Sequence, residues 1–264
     1  MKKILLATVA VLGFASVASA ADLRPLPARP VVAPVYNWTS CYVGGYVGGA
    51  WNAEAVRASD VNGYDFPYSG FYDVWNYDLK SSFLGGGTLG CNWQPVGSPW
   101  VIGAEGEIGY LRLTSSALDF PFDPLQSINS SVKIGDWYGM ATARLGYAWD
   151  RALVYIKGGV AFVDVEATVT DPIANPFFVA STSESLATWT VGGGIEWAFD
   201  WNWSVKAEYM FIGLDNVSAC GFNTNAALVP VGSYCWNHEL DGIHTAKIGL
   251  NYRFGGGAPL VARY

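Results

Sequence analysis

The sequence predicts an all-β protein, a transmembrane eight-stranded antiparallel up-and-down β-barrel. Three observations carry that prediction. The 264-residue chain is 51% hydrophobic and only 14% charged, against about 25% charged residues in an ordinary soluble domain. After the first twenty residues, no apolar run approaches the ~20 residues that a membrane helix needs. A greasy chain without spanning helices has one common resolution, a closed barrel whose backbone groups pair between strands. Finally, six segments alternate with a period of two, and every charge inside them falls on the less apolar parity.

The chain opens with an address. Met1-Lys2-Lys3 is positive, residues 4–17 are apolar, and Ala18-Ser19-Ala20 supplies a small-x-small cleavage site. Residues 1–20 are therefore expected to be a secretory signal peptide. The first cysteine is Cys41, too far along for a lipid anchor at the cleavage point. Residues 21–36 carry Pro25, Pro27, Pro30 and Pro34 and read as an extended periplasmic lead-in. The barrel is assigned to 37–254, followed by a Gly-rich tail, 255–264.

Two Gly-rich, uncharged strands come first, 41–51 and 82–93. Six stronger ones follow. In 101–111, Ile102, Ala104, Ile108 and Tyr110 oppose Glu105 and Glu107. In 137–147, Trp137, Ala141, Ala143 and Leu145 oppose Arg144. In 153–163, Val154, Ile156, Val160 and Phe162 oppose Tyr155 and Lys157. Segment 188–198 sets Trp189, Val191, Ile195 and Trp197 against Glu196, and 203–211 sets Trp203, Val205, Tyr209 and Phe211 against Lys206 and Glu208. In 243–254, Ile248, Leu250, Tyr252 and Phe254 oppose Lys247, Asn251 and Arg253. The charged parity thus holds Glu105, Glu107, Glu196 and Glu208 against Arg144, Lys157, Lys206, Lys247 and Arg253. A soluble barrel of lipocalin type would be greasy inside and polar outside. A nearly balanced charge set instead suits a narrow lumen filled by ion pairs, with the apolar face toward lipid. Arg112 and Asp164 fall on the outward parity, at strand ends.

Three connections are short (94–99, 150–151, 200–202) and four are long (52–80, 113–134, 166–187, 213–241). They alternate strictly, as periplasmic turns and extracellular loops do. Trp93, Trp100, Trp149, Trp197, Phe199, Trp203, Tyr252 and Phe254 then gather at the short-turn end as an interfacial girdle. The long loops carry thirteen carboxylates, so the exposed end is expected to be acidic. Four cysteines suit the oxidising periplasm. Cys41 and Cys91 fall near one end of neighbouring strands, and Cys220 and Cys235 share the last loop. Pairing 41–91 with 220–235 is favoured, while the other connectivities, free thiols and a bond to another chain stay open.

Several segments resemble one family. They are Trp38-Thr-Ser-Cys-Tyr-Val-Gly-Gly45, Ala143-Arg-Leu-Gly-Tyr-Ala-Trp-Asp-Arg-Ala-Leu-Val-Tyr-Ile-Lys-Gly-Gly-Val-Ala-Phe162, Trp189-Thr-Val-Gly-Gly-Gly-Ile-Glu-Trp197, Trp203-Ser-Val-Lys-Ala-Glu-Tyr209 and His244-Thr-Ala-Lys-Ile-Gly-Leu-Asn-Tyr-Arg-Phe254. Over roughly 36–254 the chain is similar to the small outer-membrane immunogenic proteins of alpha-proteobacteria, the RopB-like porin-family β-barrels. The resemblance implies an eight-stranded barrel in the Gram-negative outer membrane that contributes to envelope integrity. It also implies a terminal aromatic read by the barrel-assembly machinery. Tyr252 and Phe254 match that signal although ten residues follow, and Phe254 is favoured over Tyr264. The family offers no catalytic residues.

Other chemistry is weak. Gly85-Gly-Gly87-Thr-Leu-Gly90 has dinucleotide spacing, but Cys91-Asn-Trp-Gln-Pro95 is not a helix start, so these read as strand glycines. His238, in a loop, and His244, on the outward parity, read as ordinary surface histidines, with no haem or metal site between them. Nothing local signals a Ser-His-Asp triad. Asn37-Trp-Thr39 and Asn216-Val-Ser218 match a glycosylation acceptor with no further support. A sequence pI near 4.7 excludes nucleic acid as a partner. No cofactor, metal or enzymatic activity is expected.

An eight-stranded barrel is just wide enough for side chains to fill it. The expected function is therefore a closed, structural, surface-exposed barrel. Its expected partners are outer-membrane lipid and lipopolysaccharide, the assembly machinery, and host or cell surfaces met by the acidic loops. A small diffusion channel for ions or solutes is the alternative, and ligand capture by the loops a third.

Overall fold

A computed structural model of the chain describes residues 36–61, 74–118, 128–172, 178–224 and 230–255. The signal-peptide segment, most of the lead-in, nearly all of the tail, and Asp65, Asp73, Asp119 and Asp123 of the loops lie outside the described residues. Twelve strands occur among those described. In chain order they are β1 (Ser40–Asn52), β2 (Val56–Asp60), β3 (Val74–Tyr77), β4 (Ser82–Trp93), β5 (Trp100–Leu118), β6 (Asn129–Trp149), β7 (Ala152–Thr170), β8 (Val179–Ala198), β9 (Trp203–Gly213), β10 (Val217–Thr224), β11 (Pro230–Glu239) and β12 (Gly242–Phe254).

Eight of them close a ring. β1 pairs with β4, and β4 through β9 continue round by way of β5, β6, β7 and β8. β9 then pairs with β12, and β12 returns to β1. Every pairing is antiparallel. The short turns need little chain: Trp149 pairs with Ala152, and Asp150 takes the left-handed φ of 52° that such a turn demands. Below the ring's midpoint the alternation has a fixed sense. On β7, Val154, Ile156, Val160 and Phe162 face out, while Leu153, Tyr155 and Lys157 face in. The outward aromatics Trp93, Trp100, Trp149, Trp197, Phe199, Trp203, Tyr252 and Phe254 are exposed at the short-turn end, several of them in contact with one another.

The four long connections differ from the sequence expectation, because much of them is sheet. β5 runs on to Leu118, β6 begins at Asn129, β7 reaches Thr170 and β8 begins at Val179. β8 pairs with β9 only from Thr190 to Ala198. Beyond that, Ala180 pairs with Gly221 of β10, which pairs with β11, which pairs with β2, which pairs with β3. The ring therefore carries an upper storey. The reason is a reversal of polarity along single strands. Past Phe162, the outward positions of β7 become Asp164, Glu166, Thr168 and Thr170. Its inward positions stay apolar and buried: Val163, Val165, Ala167 and Val169. Leu113 on β5 and Val132 and Ile134 on β6 point into the same core. An outward greasy face marks a strand within lipid, so its loss resembles a strand end. Backbone pairing continues because the inside now has an ordinary hydrophobic core.

The outward apolar runs, Trp137 to Trp149 on β6 and Val154 to Phe162 on β7, fix the membrane band. At ~3.3 Å per residue and a tilt near 40°, they span roughly 20 to 30 Å.

Candidate functional site

The barrel interior is filled at three levels. At the short-turn mouth, Trp38 is fully buried. Its backbone N–H donates to Gln94 Oε1 at 2.8 Å and its indole N–H to the Asp150 carbonyl at 3.1 Å. Arg253 lies over the Trp38 and Tyr36 rings, at 5.3 and 4.8 Å from their centroids. It donates to the Tyr36 hydroxyl, to Ser40 Oγ at 2.8 Å and to the Asn37 carbonyl at 2.8 Å. The residues just before β1 are thereby tied to the end of β12.

The second level is ionic. β5 and β9 each place two inward charges at i and i+2, Glu105 with Glu107 and Lys206 with Glu208. β6, β7, β8 and β12 add Arg144, Lys157, Glu196 and Lys247, and all eight are buried. Glu105 accepts from Lys157 at 2.5 Å, from Lys206 at 3.0 and 3.2 Å, and from the Tyr42 hydroxyl at 2.5 Å. Glu208 meets Lys157 at 3.0 Å, Lys206 at 3.1 Å and Lys247 at 3.7 Å, and accepts from the Tyr155 hydroxyl at 2.8 Å. Glu107 is bound by Lys247 and by the Tyr138 hydroxyl at 3.0 Å. Glu196 meets Arg144 at 3.3 Å and accepts from Ser204 at 2.5 Å and Asn251 at 2.9 Å. Arg144 also donates to Asn92 at 2.7 Å. Four carboxylates thus face four cations. Glu105, Glu107 and Glu208 offer oxygens within 4.8 Å of one another, the spacing of a metal cage. The Lys157 ammonium sits against all three, at 2.5, 3.6 and 3.0 Å. The cage is built round a lysine.

The third level is the apolar core of the upper storey, crossed by one polar chain. Tyr77 of β3, Ser130 of β6 and His238 of β11 join through contacts of 3.0 Å each. His238 is fully buried, and burial pushes its imidazole down to about 4. It is therefore not a surface histidine, as its loop position suggested. The inward parity of β11, with Trp236 beside it, turns it into the core. His244 sits on the outer wall between Trp51 and Tyr209, its Nδ1 at 2.6 Å from the Tyr209 hydroxyl. The two histidines share no site.

Of the nine charges singled out by parity, the structure brings eight together and places Arg253 apart, at the mouth. Cys41 is bonded to Cys91 and Cys220 to Cys235, each pair directly opposite across two strands. Tyr252 and Phe254 face outward at the end of β12, 5.6 Å apart between ring centroids. Gly85 to Gly90 lie within β4, where Gly86 and Gly90 leave room for Tyr46 and Tyr42. Not all loop acids are exposed: Asp60 and Asp171 are buried. Sequence reasoning missed Tyr36, Trp38, Tyr42, Tyr46, Tyr138, Asn92 and Ser204. For Tyr42 and Tyr46 the signal was present, since each shares the parity of small residues on a neighbouring strand.

Residues 7–254 match the family model of the outer membrane protein beta-barrel domain. The chain is 31% identical over 268 residues to the 31 kDa outer-membrane immunogenic protein of Brucella melitensis, covering 96% of this chain and 100% of that protein. It is 26% identical over 259 residues to the 25 kDa outer-membrane immunogenic protein of Brucella canis, covering 96% and 99%. Among solved structures, the outer membrane protein OprG of Pseudomonas aeruginosa aligns at a TM-score of 0.47 with 10% identity, over 83% of this chain and 98% of that one.

Proposed function

The chain belongs to the outer membrane protein β-barrel domain family and resides in the outer membrane of Gram-negative bacteria, and from that premise we propose that it is a closed, structural barrel that presents a rigid surface to the outside. One observation carries the reading: the lumen is blocked in series. The Tyr36–Trp38–Arg253 plug, the eight-charge network and the apolar core of the upper storey stand one above another. A hydrated solute would have to separate buried ion pairs whose partners leave water only because they meet each other. Such a barrel contributes to the envelope through its wall, its lipid contacts and its upper storey. No catalytic role is assigned to it. On the same reading, the outward aromatics Tyr252 and Phe254 serve the assembly machinery as the terminal-strand signal. The extracellular surface meets lipopolysaccharide at its base and other cells or host surfaces at its top.

The test is single-channel conductance of the refolded chain lacking residues 1–20 in a planar bilayer, with heat-modifiable gel mobility as proof of folding. A quiet bilayer is expected. Reproducible discrete steps from folded protein would overturn the closed reading and make this a small diffusion channel.

A further inference from the structure

The two disulfides join their strands in the same way but face different solvents. Cys41 of β1 and Cys91 of β4 stand directly opposite each other, 3.9 Å apart between Cα atoms, on the outward parity, and both are exposed. Cys220 of β10 and Cys235 of β11 stand opposite each other at 4.1 Å, the first exposed and the second half-buried. The outward neighbours of the upper bond are Ser218 with Asn237 on one side and Phe222 with Ser233 on the other. Ser218 Oγ donates to Asn237 Oδ1 at 3.4 Å. That bond sits on the water-facing storey.

The lower bond is set in the greasy wall. Its outward neighbours one step further from the short turns are Val43 and Leu89, which pair with each other. Across the flanking strands Cys41 meets Phe254 and Cys91 meets Ala104. One outward step nearer the short turns on β4 stands Trp93. Val43, Leu89, Trp93 and Phe254 are all exposed on the outer face, and Trp93 and Phe254 belong to the aromatic girdle. The sulfurs therefore lie on the lipid side of that girdle. No route reaches them through the sheet either. β1 pairs with β4 without a break from Ser40 to Ala50, with β12 from Cys41 to Asn52, and β4 pairs with β5 from Leu84 to Trp93.

We propose that Cys41–Cys91 is made by a soluble disulfide oxidant of the periplasm before the barrel enters the membrane, and that insertion then seals the bond against soluble thiols, while Cys220–Cys235 stays open to them. Thiol–disulfide exchange runs through a thiolate that attacks a disulfide sulfur, and a charged, hydrated partner does not enter hydrocarbon to do so. The Cys41 thiolate attacks the oxidant's disulfide and expels one of its sulfurs as a thiolate. The Cys91 thiolate then attacks the Cys41 sulfur, closes the bond and expels the second. Two electrons pass to the oxidant, and the two protons of the cysteine thiols end on its released thiols. Chain order permits this timing. Both cysteines lie in the first 91 residues and their pairing needs only β1 and β4, whereas the ring closes when β12, the last strand, meets β1. The register of β1 is thus fixed by a covalent bond before Phe254 comes to rest opposite Cys41. The ordering rests on the placement of the wall in lipid and not on whether the lumen conducts, so a conducting barrel would leave it standing.

The experiment uses the oxidised protein refolded into lipid nanodiscs, which leave both membrane faces open to water, with folding verified by unboiled gel mobility. The probe is tris(carboxyethyl)phosphine, a charged reductant, and released thiols are alkylated with a maleimide and located by peptide mass mapping. Cys220 and Cys235 are expected to be labelled first, and Cys41 and Cys91 at least about tenfold more slowly. In urea, with the chain unfolded, the two bonds should open at similar rates. In a second arm, the reduced chain meets oxidised glutathione either before or after insertion. Both bonds should form in the first case and Cys220–Cys235 alone in the second. A reduced chain that never reaches the compact gel mobility would support the same order, since the bond must then come first. Equal opening rates for the two bonds in the nanodisc would overturn the proposal. So would closure of Cys41–Cys91 by oxidised glutathione after insertion, at the rate of Cys220–Cys235.

Discussion

Replacing Lys206 with Met removes one of the four cations that hold the lumen's carboxylates. The ammonium contacts Glu105 at 3.0 and 3.2 Å and Glu208 at 3.1 Å, in a region closed to water. Removing one partner of a buried pair costs about 3–5 kcal/mol, because the opposite charge is left uncompensated. Here Glu105 keeps Lys157 at 2.5 Å and Arg144 at 3.9 Å, and Glu208 keeps Lys157 at 3.0 Å and Lys247 at 3.7 Å. The loss should therefore fall at the lower end, ~3 kcal/mol. Glu208→Gln should cost a similar amount for the converse reason. Lys206→Met/Glu208→Gln restores the balance and should cost less than the two singles together by at least ~1.5 kcal/mol. Urea unfolding of the refolded protein in micelles, followed by Trp fluorescence and unboiled gels, reads these differences. With a slope of ~2 kcal/mol/M, the single variant's midpoint should drop by about 1.5 M. An unchanged midpoint for Lys206→Met, or strict additivity in the double variant, would refute the reasoning. The first would mean that the network is not closed to water, the second that its members do not act together.

Three further outcomes are expected. A methyl group at Gly90 would run into the Tyr42 ring that seats the Glu105 hydrogen bond, so Gly90→Ala should cost ~1–3 kcal/mol by overpacking and lower the temperature at which the compact gel band disappears. Reducing Cys220–Cys235, a bridge over 15 residues, should remove ~3 kcal/mol from the upper storey alone; limited proteolysis should then cut near β10 and β11 while the ring keeps its compact mobility. His238 is neutral in its buried site with a pKa near 4, below the unfolded value of about 6.5. The stability that it protects is complete above about pH 6.5 and is lost as pH falls from there through 4, by on the order of 3 kcal/mol. Hydrogen-exchange protection factors in β3, β6 and β11, taken relative to the intrinsic rate at each pH, should fall over that window in wild type and lose this slope in His238→Gln.

Much of this was legible because lipid and a narrow lumen impose opposite demands on alternate residues. Lys157 between Ile156 and Gly158, or Glu196 between Ile195 and Trp197, has one sense only once the outer wall is known to be greasy. The upper storey escaped for the same reason. Residues 163–169 alternate as strictly as residues 154–162, with Val163, Val165, Ala167 and Val169 on one face, but with the greasy face turned inward. A criterion tuned to an outward apolar face ends the strand at Phe162. Short strands such as β2 and β3 carry too few residues to show a period and are held by pairing, β2 with β11 and β3 with β2. Arg253 counted with the lumen charges by parity, but its partners Tyr36 and Trp38 come from 215 or more positions earlier and carry no charge that arithmetic could balance. Tyr42, Tyr46 and Tyr138 are silent in any tally of charges, yet their hydroxyls meet the network's carboxylates and one another.

The reversal of polarity along β5, β6 and β7 also decides what an outside molecule can grip. Because the upper storey carries its own hydrophobic core, its exterior is a solid summit rather than a set of independent ribbons. Arg57 stands beside Glu239, and Gly221 beside Ala180, so neighbours on that summit come from distant stretches of chain. A binder raised against the intact protein would recognise a mosaic of such neighbours, and a linear peptide copied from any one stretch would reproduce only a single tile of it.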